Sequence, residues 1–110
     1  MRINEVVSTK TFNIGNLRIT VDGHAIEQTF FREIDPNAVD QVLNKLTTVQ
    51  NQLAKMQVGN KVWVTDPDTH VSVGLRRTGS KGLDFLFKTA VQNKTYDSDT
   101  PEIVLDSISQ

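Results

Sequence analysis

A chain of 110 residues with no cysteine and a net charge of −1 can bury one modest core, with no room for a second lobe enclosing a cleft. That charge excludes a general field drawing the protein to nucleic acid or acidic membranes, and the missing thiols exclude disulfides, thiolate zinc sites and a cysteine nucleophile. No apolar run reaches the ~20 residues that span a bilayer, and the opening MRINEVVSTKTF lacks a signal-peptide core, so a single soluble domain over residues 1–110, cytoplasmic and without membrane contact, is expected.

From Glu5 to Ile34 the chain reads as three strands joined by tight turns. Gly15-Asn16 sets Ile14 opposite Leu17, and Asp22-Gly23, a strong hairpin dipeptide, sets Val21 opposite His24. The two registers agree on an inner face of Phe12, Ile14, Leu17, Ile19, Val21 and Ile26, continued by Phe30 and Ile34. The outer face then pairs Arg18 with Glu27 and leaves Phe31 as a candidate for a protein interface.

Asp35 to Gly59, DPNAVDQVLNKLTTVQNQLAKMQVG, is the long helical signal. Val39, Val42, Leu46, Val49, Leu53 and Met56 recur in steps of three and four, with Leu43 widening the stripe. Asp35 can cap the first turn, Pro36 suits the first helical position, and Gly59 can end the helix in a left-handed conformation. At ~1.5 Å per residue such a helix runs roughly 34 Å. The stripe is too short for a coiled coil and points to packing on the chain's own sheet. Its opposite face carries Gln41, Asn44, Thr48, Asn51 and Gln52, amides and hydroxyls that dehydrate more cheaply than charges and so make candidate interface residues.

Beyond the helix, Lys61 to Asp66 and His70 to Arg77 alternate as strands around Pro67-Asp68. Leu83 to Val91 fits strand or helix, and the hairpin-like Thr78 to Gly82 before it favours strand. A link is expected from Tyr96 to Pro101 and an edge strand from Glu102 to Leu105, within a flexible acidic segment over residues 93–110. The expected fold is α+β: an antiparallel sheet of five to seven strands in two meanders, packed on or curled around one long central helix. An OB-like barrel ranks second because its helix is usually much shorter.

Few residues point to chemistry. His24 follows Asp22, and His70 follows Asp66 and Asp68, but these acids are ordinary turn residues and match no metal spacing. Gly-x-Ser-x-Gly is absent, Ser72 and Ser80 have no evident base, and neither a catalytic set, a metal nor a cofactor is expected. Trp63 reads as core or sheet-face packing. The loop GLRRTGSKG, residues 74–82, is the strongest charge feature: Arg76, Arg77, Ser80 and Lys81 with glycine amides suit a phosphate, although alternation separates Arg76 from Arg77.

The leading expectation is a small non-catalytic binding or assembly module, working through protein contacts as a homo-oligomer and of a size that suits a viral assembly or accessory regulatory protein. The alternative is a nucleotide or nucleic-acid binder using the basic loop, with Trp63, Phe85 or Phe87 as stacking surfaces.

Overall fold

The structure, a computed structural model, describes residues 10–79, 81–93 and 100–106. Strands β1 (Lys10–Ile14) and β2 (Leu17–Val21) form the expected hairpin, with Ile14 opposite Leu17 and Phe12 opposite Ile19. Gly15 at φ +60° supplies the left-handed turn residue. Ile14, Leu17, Ile19 and Val21 are buried and Phe12 packs against them. The part of the expected first strand before Lys10 lies outside the described residues.

The expected third strand is instead helix α1 (Gly23–Phe31). Asp22 does not open a hairpin: its carboxylate accepts from the His24 N–H at 3.0 Å and caps the helix. Ala25, Ile26 and Thr29 are buried with helical spacing, and Arg18 pairs with Asp84, not with Glu27. The neighbouring strand accounts for the difference. β5 (Leu83–Gln92) is twice the length of β2, which pairs in parallel with residues 83–87 only. Past that point the Asp22 N–H donates to the Phe87 carbonyl at 3.2 Å, and Arg32 Nη1 donates to the Ala90 carbonyl at 2.7 Å. α1 therefore lies beside the second half of β5 and covers an edge that would otherwise be open.

The long helix is also corrected. α2 (Pro36–Asn44) starts as expected, with Asp35 accepting from the Asn37 N–H at 2.9 Å and Pro36 in the first position. A 3-10 turn (Leu46–Val49) and a short α3 (Gln50–Ala54) follow, so there is no continuous central rod. The β-branched run Thr47-Thr48-Val49 is a poor α-helix former. Thr48 bonds the Lys45 carbonyl through both its N–H (3.0 Å) and its hydroxyl (2.6 Å), which tightens the chain there. The stripe survives the break: Val39, Val42, Leu43, Leu46, Val49 and Leu53 are all buried. Gly59, at φ +92°, belongs to the turn before β3 (Lys61–Asp66), where its N–H donates to the Arg77 carbonyl at 2.8 Å.

β4 (Val71–Arg77) and the short edge strand β6 (Glu102–Val104) complete one six-stranded sheet in the order β1-β2-β5-β4-β3-β6. It is mixed, not purely antiparallel, because β2–β5 and β3–β6 run parallel. It is also an open sheet rather than a barrel, with β1 and β6 as its edges among the described residues. Val62, Val64, Val71, Val73, Leu75, Phe85 and Phe87 form its inner face, and α2 packs on β4 and β3.

One polar cluster is anchored in this layer. Lys45 Nζ reaches Asp66 Oδ1 at 3.1 Å and Asp68 Oδ2 at 3.2 Å, and Asp66 also accepts from the Asp68 N–H and the Thr69 hydroxyl, each at 3.1 Å. Burial works against the Lys45 charge, but the hydrogen bonds and charges of the two aspartates outweigh it and hold the amine above its ordinary pKa. No helix among the described residues is long and apolar enough to cross a membrane.

Candidate functional site

The outer face of the sheet is read by strand alternation. Three cross-strand rows follow from the register: Lys61, Arg76 and Leu86; Trp63, Gly74 and Thr89; Thr65, Ser72 and Val91. The rows would stay in step with β5 but for a bulge, where Leu75 faces Phe87 while Gly74 faces Thr89, leaving Lys88 as the extra residue.

A groove of about 520 Å³ lies over the middle row. Trp63 and Gly74 form its floor, with Thr89, Lys61 and Lys88 around them and His24 and Gln28 of α1 along one wall. Gly74 makes room for the indole. A Cβ there would sit 3.0 Å from Thr89 Cγ2 and 3.3 Å from Trp63 Cζ3, so the ring crosses β4 at a place where a larger residue would crowd both side chains.

The wall is held by a directional chain of hydrogen bonds. Arg32 Nη1 donates to the Thr89 hydroxyl at 3.4 Å, the hydroxyl donates to Gln28 Oε1, and Gln28 Nε2, which can only donate, reaches His24 Nε2 at 2.8 Å.

Among the described residues, no carboxylate lines the groove. Lys61 is exposed, Lys88 is half-buried, and exposed Arg76 stands directly across the ladder from Lys61 on the same face. Among the described residues, none of these three cations has an ion-pair partner. Glu102, beside Trp63 in the register, accepts from the buried Thr65 hydroxyl at 2.5 Å, and that hydroxyl also bonds Ser72 Oγ at 2.7 Å. The groove therefore offers a flat aromatic surface bordered by cations, a setting for stacking and charge pairing. Among the described residues no cluster of histidine and acid side chains is arranged to hold a metal.

The basic loop is divided between the two faces. Arg77 points inward, and its guanidinium donates to the carbonyls of Ala54 (2.8 Å), Met56 (2.5 Å), Gly79 (3.1 Å) and Gly82 (3.2 Å). It ties the end of α3 to the β4–β5 connection. Arg76 joins the outer face, Lys81 is exposed on the loop, and Ser80 lies outside the described residues. Of the proposed interface residues, Phe31 is 91 % exposed beside Phe30 at 55 %. Asn44, Thr48, Asn51 and Gln52 are exposed and Gln41 is half-buried.

Lys61, Lys88, Gln28 and Thr89 were not singled out from the sequence. Two signals pointed toward the groove: Lys61-x-Trp63 places both side chains on one face, and a glycine inside a strand marks a close approach. Nothing in the local sequence marks the bulge at which Lys88 borders the groove. Compared with protein-family models, curated protein sequences and solved structures, the chain matches none of them.

Proposed function

We propose that this protein is a non-catalytic binding domain whose ligand carries negative charge and a flat ring, as nucleotides do, held in the groove over Trp63. The observation that carries the reading is the indole lying across Gly74 beside Lys61 and Lys88, with no acid in the lining among the described residues. A base stacked on an aromatic side chain gains about 1–3 kcal/mol, and amines without an acid partner among the described residues supply charge-assisted contacts to phosphate. The volume falls within the usual range for small-molecule sites. The net charge of −1 is no obstacle, because a local patch acts at contact distance.

Trp63 is the only tryptophan, so its emission reports on the groove directly. Titration with nucleotides and oligonucleotides should quench it, with affinity falling as salt rises. Emission indifferent to all of them would overturn the reading.

A second reading, protein contact through self-association, is favoured by the adjacent exposed rings of Phe30 and Phe31 at the end of α1. Light scattering on the protein and on Phe31→Ser is the check. An oligomer that the substitution disperses supports it, and a monomer at every concentration removes it.

A further inference from the structure

Resting on that reading of the groove, we infer that the ring it holds is a nucleobase, read along its edge by the side-chain amide of Gln28. The amide stands where a ring laid on Trp63 would end. A Cβ built on Gly74 lies 3.3 Å from Trp63 Cζ3 and 3.0 Å from Thr89 Cγ2, so the far edge of the indole and Thr89 meet over β4. The Thr89 hydroxyl in turn bonds Gln28. Stacking surface and amide therefore adjoin within one groove, whose lining also holds Lys61 and Lys88 for the phosphate.

The valences of the amide decide what it can meet. Gln28 carries two N–H groups and two acceptor lone pairs. The Thr89 hydroxyl takes one lone pair, and the contact with His24 Nε2 at 2.8 Å takes one N–H. Among the described residues that leaves one donor and one acceptor, held in a single plane. The plane is set in advance, because Arg32 Nη1 bonds both the Thr89 hydroxyl at 3.4 Å and the Ala90 carbonyl at 2.7 Å. An amide fixed before the ligand arrives loses less freedom on binding. A nucleobase edge sets a donor beside an acceptor, as when the amino group and ring nitrogen of adenine take a glutamine in two bonds. A plain aromatic acid would cover half-buried Gln28 with hydrocarbon and dehydrate both groups without replacing their bonds. Lys61, Lys88 and Trp63 can only donate, so of these four groups the amide alone offers an acceptor to the base.

The test compares adenosine monophosphate with purine riboside monophosphate, which has the same charge and bicyclic ring but no amino group. Each is titrated into the full chain and read by Trp63 emission. The adenine nucleotide should bind about fivefold tighter or more, the size of one neutral hydrogen bond, and Gln28→Met should bring the two affinities together. Equal affinities in the wild type, a comparison that needs no variant, would refute the edge inference and leave the groove reading standing. A preference that survives in Gln28→Met would refute it as well, by placing the contact elsewhere. No response to either nucleotide would remove the groove reading itself, and the inference with it.

Discussion

Arg76 and Arg77 are neighbours in sequence and opposites in role, and they represent the two faces of the sheet. Arg77 faces inward, where four of its donors meet backbone carbonyls at the end of α3 and in the β4–β5 loop. Arg76 faces outward beside Lys61, without an acid partner among the described residues. The polar groups of the inner face hold elements together, whereas the cations of the outer face meet no acid among the described residues. Charge content alone does not distinguish the two, since what each charge meets is decided by strand parity and by what covers that side.

The contrast predicts unequal costs. The largest is expected at Lys45. Lys45→Met leaves fully buried Asp66 without its cation and should cost about 3 kcal/mol in denaturant unfolding. The same pair has a pH signature. Because the Lys45 pKa is raised by folding, its stabilisation is whole below about pH 10.4, the ordinary lysine value, and is lost as pH climbs through the raised value. Wild-type protein should therefore lose stability at alkaline pH more steeply than Lys45→Met, and parallel curves would contradict the assignment.

Arg77→Gln comes next, at about 2 kcal/mol, because it unpairs several carbonyls at once. Arg76→Gln should change stability by no more than about 0.5 kcal/mol and instead weaken oligonucleotide binding. Equal thermal shifts for the two variants would erase the distinction between the faces.

The smallest effect is at the cap of α1. Asp22→Ala should cost about 1 kcal/mol, as for any capping residue. Were Asp22 in a hairpin turn, the same change would leave amide exchange in residues 23–31 strand-like, so exchange rates there report which element forms.

Turn chemistry and alternation were legible where they act between neighbours in sequence. The β1–β2 hairpin with its inner face, β3, β4, β5 and the edge strand β6 could all be read in this way, as could the Asp35-Pro36 start of α2 and the buried stripe from Val39 to Leu53. Asp22-Gly23 was the misleading signal, since an aspartate before glycine serves a hairpin and a helix cap equally well. The candidate site was less legible than the fold: Arg76 and Trp63 stood out as residues, but the groove that joins them did not.

Local patterns register only the interactions that lie a few residues apart. They account for which side chains go inside, where the first hairpin turns and where α2 begins. Long-range contacts settled the rest. β2 stops five residues short of the end of β5, so α1 took that edge. Parallel pairings formed between strands with no turn to announce them. The groove over Trp63 belongs to this second class, because it is assembled from α1, β3, β4 and β5, and their packing sets Lys61 and Lys88 at its border.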